Sequence, residues 1–301
     1  MDEWPELQYD SWRPTRDTLH MYMQVVGKLR LALSPFEPQW ANVPLYVTAR
    51  GLTTSPVPHG SGTFDAELDL FDHELVLRAS DGQRRRVPLG GAVADYYRAV
   101  MDALAGLGVA VAVSELPSEV PDPIPFPEDR EHHTYEPESA QRFWQVLSRV
   151  DRVMKRHRAG FRGRTSPVHF FWGSFDLANT RYSGRPAEPP PGSGTIMRFS
   201  EDAEQICAGF WPGDARTPFP AFFAYGYPRP EGIERAEVRP APAAWVEEAG
   251  LFVLPYDAVR AAPDPAAAVL EFLSTTYGAC ATGLGWSPDL VATEPRPPGA
   301  A

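Results

Sequence analysis

Proline occupies 33 of the 301 positions, roughly twice the usual share, and this constrains the fold more than any other feature of the chain. Each proline fixes one backbone dihedral and removes one donor. Helices must therefore fit between prolines or begin on them, and central strands must avoid them. The stretches that remain are legible. Leu19, Tyr22, Val26, Leu29 and Leu33 recur at helical spacing, which predicts a helix from Thr18 to about Leu33, entered after Pro14-Thr15 and ended by Ser34-Pro35. A second long helix opens on Pro137 and runs to about Arg158, with Phe143, Val146, Val150 and Val153 as its buried stripe. Ala92 to Leu104 reads as a helix, and Pro265 opens a last one to about Tyr277.

The strands follow from a different period. Phe64, Ala66, Leu68 and Leu70 alternate with Asp65, Glu67 and Asp69, the pattern of a sheet with one wet face, on which Arg78 and Arg84 to Arg86 would be cross-strand partners of the acids. Strands are also expected at 44–50, 109–113, 205–210, 221–227 and 251–254. The run from Val168 to Phe175 is continuously apolar enough for a strand covered on both faces. Alternation along it puts His169, Phe171, Gly173 and Phe175 on one face, with Phe170, Trp172, Ser174 and Asp176 on the other.

Prolines at 117, 121, 123, 125 and 127 favour extended polyproline geometry. This gives a division into a first α+β half (1–116), a stiff connector (117–135), a second α+β half (136–287) and a frayed tail (288–301). The halves repeat an order: long helix, proline, strand, small antiparallel sheet, helix. Met23-Gln24-Val25-Val26 aligns with Trp144-Gln145-Val146-Leu147, Pro44 with Pro167, Tyr46 with His169 and Leu52 with Phe175, at nearly equal intervals. The expected fold is α+β, two similar helix–antiparallel-sheet–helix halves packed as one pseudo-twofold body, with a site in or near the cleft between them.

Several chemistries are excluded by motif. There is no GxxxxGK[ST] loop, no GxGxxG after a strand, no GxSxG elbow and no HExxH. No motif names a cofactor, and no metal site is expected. Cys207 and Cys280 lack metal-type spacing and read as buried thiols in a reducing compartment. The formal net charge of −11 disfavours nucleic acid and anionic membrane as partners. One basic cluster, Lys155 to Arg164, stands against it and is best placed at a helix C-terminus, where cations meet the macrodipole. The acidic start without a basic and apolar leader, and the absence of any membrane-length apolar run, give a cytoplasmic expectation.

The segment SPVHFFWGSFDLANTRYSGR, from Ser166 to Arg185, carries the most chemistry. A histidine in an aromatic strand, a carboxylate at the strand's exit and arginines in the loop expected beyond it are the parts of a binding site. His169 is the candidate acid–base group and Asp176 its orienting carboxylate. Trp172, Arg181 and Arg185 are the candidate substrate contacts, the arginines gripping an anionic group. The resulting expectation is an enzyme acting on a small, partly apolar, anionic molecule in an aromatic pocket of the second half. The alternative is a non-catalytic small-molecule-binding or scaffold protein. His132-His133 is expected in a solvated linker, and His20, Gln24 and Lys28 on an exposed helix face.

The same segment, SPVHFFWGSFDL, together with WPEL at the start, VPLYVTARGLTTSPVP at 43–58 and EVPDPIPF at 119–126, resembles the bacterial domain-of-unknown-function family 5996. The resemblance extends from about Trp4 to Trp286. It implies kinship but brings no activity, cofactor or catalytic residue.

Overall fold

The computed structural model describes residues 4–291. Helix α1 (Tyr9–Leu33) is followed by six strands, β1 (Tyr46–Val47), β2 (Gly51–Thr53), β3 (Val57–His59), β4 (Gly62–Asp69), β5 (Glu74–Ala79) and β6 (Arg84–Pro88), then by α2 (Val93–Ala105). After the connector come α3 (Pro137–Ala159), β7 (His169–Phe171), β8 (Asp176–Pro186), the short α4 (Thr195–Ser200), β9 (Ala203–Trp211), β10 (Ala221–Tyr227), β11 (Ala244–Val246) and β12 (Leu251–Pro255). The short α5 (Tyr256–Arg260) and the long α6 (Pro265–Gly283) follow. The fold is α+β, with every strand pairing antiparallel. Among the described residues no helix is long and apolar enough to cross a membrane.

One sheet runs β1-β2-β4-β5-β6, with β3 sharing the β2 side of β4. The other runs β11-β12-β10-β9-β8-β7. The two meet at their edges, where Leu45 and Phe170 exchange both backbone hydrogen bonds at 2.9 Å. Their core faces therefore join into one apolar body, in which Leu45, Leu52, Leu68 and Leu75 of the first half and Phe170, Leu177, Phe210 and Phe222 of the second are all fully buried. The opposite face of the first sheet is the expected charged ladder. Arg78 bonds Asp65 at 2.7 Å and Glu67 at 2.6 Å, and Arg86 bonds Glu74 at 2.6 Å.

Several local expectations are corrected. Helix α1 begins at Tyr9 and contains Pro14. A proline is tolerated there because the carbonyl it leaves unpaired, four residues back on Asp10, belongs to an exposed residue of the first turns, where solvent can serve as partner. The face carrying His20, Gln24 and Lys28 is not exposed, since every residue from Thr18 to Arg30 is buried. The segment 109–113 is not a strand, and the one at 44–50 shrinks to Tyr46–Val47. Of the tail, Pro288–Leu290 form a 3-10 turn and Val291 bridges Phe161, with Leu290 and Val291 packed against the core rather than frayed. The remainder lies outside the described residues.

The largest correction concerns the run from Val168 to Phe175. It is a hairpin rather than one strand. The chain reverses over Trp172–Phe175, with Phe175 in the left-handed region at φ 63°, and Phe171 pairs with Asp176. The reversal brings Asp176 to the same face as His169 and Phe171, whereas simple alternation puts it on the other. What was expected as a loop carrying Arg181 and Arg185 is the strand β8.

Candidate functional site

The open face of the second sheet is concave and forms a cleft of about 1270 Å³. Its floor explains its depth. His169 pairs with Ala178, which continues through Gly209 and Phe223 to Val253. The next row runs Thr180, Cys207, Tyr225. The centre is thus made of alanine, glycine, threonine and cysteine, while larger rings stand around it. Gly209 is required there, because a Cβ at that position would lie 2.5 Å from the Phe223 ring and 2.1 Å from the Leu177 carbonyl oxygen. The aromatic residues of this half divide by strand parity. Phe170, Phe210, Phe222 and Phe252 fill the core, while Phe171, Trp211, Phe223 and Tyr225 line the cleft.

The walls come from elsewhere in the chain. Helix α1 contributes Arg16 and His20, the connector Glu119, and α4 Ile196 and Met197. The connector is held by side chains that pattern alone assigned to water. Gln24 accepts from the Ser118 N–H at 2.9 Å and donates to its carbonyl at 2.6 Å, mimicking a strand partner, while Lys28 donates to the Ser118 hydroxyl at 3.1 Å. His20 donates from Nε2 to the carbonyls of Trp172 and Gly173 at 2.9 and 3.0 Å, and burial pushes its pKa down to about 3.

Each sequence-chosen residue has a definite place. His169 lines the cleft and is 3% exposed, yet its Nε2 has no hydrogen-bond partner. Burial, with Arg30 and Arg158 nearby, lowers its pKa to about 4, so the ring is neutral at pH 7. Asp176 is 8% exposed on the same face. It accepts a short hydrogen bond from the Ser174 hydroxyl and makes none to His169. The expectation that it orients the imidazole is therefore corrected: His169 pairs with Ala178 and Asp176 with Phe171, so the two are diagonal neighbours across the hairpin. Burial is the main cause that raises the Asp176 carboxyl to about 7, and the Glu119 carboxylate adds to it. Trp172 donates from Nε1 to the Val43 carbonyl at 2.9 Å and packs against Gly27, so it is a buried post of the turn at the margin of the cleft.

The two arginines sit elsewhere. Strand parity turns Arg181 to the helix side with Leu177 and Asn179. There it donates to the His157 carbonyl at 2.5 Å and lies 4.9 Å from the Phe161 ring and 4.5 Å from the Tyr277 ring. Arg185 is exposed at the strand end, paired with Glu204 at 2.5 Å. Neither lines the cleft.

Part of the basic cluster is likewise engaged within the fold. Lys155 pairs with Asp151 at 2.7 Å, Arg158 donates to the Ser166 carbonyl at 2.6 Å, and Arg164 stacks on Tyr182. His132 is half-buried against Asp129 at 2.8 Å rather than solvated. Both cysteines are free and buried. Among the described residues no group of three or more His, Cys, Asp or Glu is placed to hold a metal.

Sequence reasoning missed Glu119 and Glu201. Glu119 sits in the left-handed region at φ 58° and projects over the hairpin turn, its Oε2 2.1 Å from where a Gly173 Cβ would be. Glu201 is 4% exposed and accepts from Gln205 at 2.8 Å. Burial raises both carboxyls above their ordinary range. The glycine at 173, inside an aromatic run, was the only local signal that something approaches the turn closely.

Fold and cleft together define an α+β protein with two edge-joined antiparallel sheets, one face charged and the other hollowed. Residues 4–293 match the model of a family of unknown function (DUF5996), and the chain belongs to that family. No curated protein and no solved structure matches it.

Proposed function

We propose that the protein is an enzyme acting by general acid–base chemistry on a small, partly apolar molecule held in the cleft of the second half. Asp176 is the proton-transferring group, and His169 is a neutral hydrogen-bonding partner across from it. One observation carries this reading. A buried histidine leaves a ring nitrogen unpaired on the same hollow face as a buried carboxyl without a cation, an expensive arrangement for folding alone. A carboxyl poised near 7 suits proton transfer at neutral pH.

The second reading is a non-catalytic binding protein in the same cleft. It is favoured by the absence of an activated nucleophile there, since burial holds the Cys207 thiol up at about 12. A thermal-shift screen of metabolites against wild type, His169→Ala and Asp176→Asn separates the outcomes. Ligands are expected to stabilise wild type, to lose that effect in both variants, and to be converted only by wild type when the mixtures are analysed by mass spectrometry. Equal stabilisation of all three proteins would overturn both readings, and binding without conversion leaves the second.

We also read the chain as a duplicated unit divided at the 117–135 connector. Two features support this: the repeated helix–sheet–helix order, and the meeting of the sequence-aligned Tyr46 and His169, whose rings lie 5.7 Å apart beside the Leu45–Phe170 bridge.

A further inference from the structure

The anionic character expected of the ligand rested on Arg181 and Arg185, and both point away from the cleft. The charged groups that do line it tell a different story. Arg16 is within 2.8 Å of Asp17, and Arg13 within 3.5 Å of the same carboxylate, so these two share a counter-ion, while Arg216 stands exposed, two residues from Asp214. Glu119 and Asp176 are placed differently. Among the described residues no lysine or arginine forms an ion pair with either. The Glu119 carboxylate lies over Gly173 and Asp176 accepts from Ser174, so both face the cleft at the hairpin turn, where the Glu119 charge raises the Asp176 carboxyl further. Beside them stands His169, buried and with Nε2 unpartnered.

We propose that the cleft takes a protonated organic amine, its ammonium held between the carboxylates of Glu119 and Asp176 and its apolar body lying across Ala178 and Gly209 towards Phe223. This rests on the cleft being the ligand site, as proposed above. Two like charges brought together without a counter-ion are each other's penalty, and an ammonium removes that penalty for both. Phe171, directly opposite Asp176 on the paired strand, adds an aromatic surface on which a cation is favoured. His169 Nε2 supplies a further hydrogen-bonding point for a polar substituent. An organic cation fits better than a metal ion, because two carboxyls among aromatic rings fall short of the oxygen shell a hard cation needs. Glu119 is rigidly presented: Gln24 and Lys28 fix Ser118 next to it, and only a glycine at 173 leaves room for its carboxylate.

The test uses three molecules of one shape and different head groups: phenethylamine, phenethyl alcohol and hydrocinnamate, titrated into the full chain by calorimetry. The amine is expected to bind at least about tenfold more tightly than the alcohol, and hydrocinnamate more weakly than either. Glu119→Gln and Asp176→Asn should each weaken the amine about tenfold and leave the alcohol within about twofold. Gly173→Ala, which displaces Glu119 without touching a charge, should weaken the amine alone. Circular dichroism of each variant establishes that it is folded. Hydrocinnamate binding as well as the amine, or amine affinity indifferent to all three substitutions, would overturn the amine assignment while leaving the cleft as a ligand site. Failure of all three compounds to bind would overturn both.

Discussion

Replacing Asp176 with asparagine is expected to make the protein more stable and to do so increasingly as pH rises. The carboxyl is raised from its ordinary 3.8 to about 7, chiefly by burial. An acid with a higher pKa in the folded state keeps its proton there after the unfolded chain has lost it, so native stability falls as pH rises between the two values. At about 1.4 kcal/mol per pH unit the loss grows to roughly 4 kcal/mol, absent below about pH 4 and complete above about pH 7. Asparagine has nearly the same shape, keeps an acceptor for the Ser174 hydroxyl and never ionises. Between about pH 5 and about pH 8 its advantage over aspartate should widen by roughly 3 kcal/mol, or about 5 °C in Tm for a chain of this length. Glu201 is raised in the same direction but is present in both proteins and cancels, so the difference between the two curves reports residue 176 together with its coupling to Glu119. Differential scanning calorimetry across that range is the assay. Parallel curves of Tm against pH would show that Asp176 ionises freely in the folded protein and would refute the argument from its burial.

Other substitutions separate scaffold from site. His169→Phe removes an unpaired buried nitrogen and should raise stability by about 1 kcal/mol while abolishing ligand response, read by thermal shift with and without ligand. Arg181→Ala should cost about 3 kcal/mol by denaturant titration, from lost ring contacts and the lost bond to the His157 carbonyl, yet leave affinity in the cleft unchanged. Arg185→Ala breaks a half-exposed pair with Glu204 and an exposed hydrogen bond to the Leu284 carbonyl, and should cost about 1 kcal/mol in the same titration. Gly27→Ala would drive a methyl to within 2.2 Å of the Trp172 indole and should cost about 3 kcal/mol, with a shift in tryptophan fluorescence reporting the displaced ring.

The hollowed sheet also shows how a cleft is built from residue size. Ala178, Gly209, Thr180 and Cys207 leave the floor low, and the rings of Phe171, Trp211, Phe223 and Tyr225 raise its margins. On the first sheet the same outer face carries Arg78, Asp65 and Glu67, which need water or each other and form a flat ladder. The two sheets thus turn differently built faces outward, one a charged ladder and the other a hollowed cleft.

Periodicity alone located the long helices, because their apolar stripes and the prolines that open α3 and α6 are local signals. It also located β4, whose two-residue alternation is uninterrupted, while aromatic content marked β10. His169, Asp176 and the aromatic run were conspicuous for their chemistry. What needed the tertiary structure was every feature set by pairing rather than by sequence neighbours. The reversal at Trp172–Phe175 turns Asp176 to the face of His169, and strand parity along β8 turns Arg181 away from it. Gln24 and Lys28 look like solvated residues on a helical wheel, and only the connector folded against them shows that they are buried supports. Glu119 belongs to a proline-rich stretch with no pattern of its own. Its nearness to Asp176 depends on a contact between segments more than 50 residues apart, and no local rule reads such a distance.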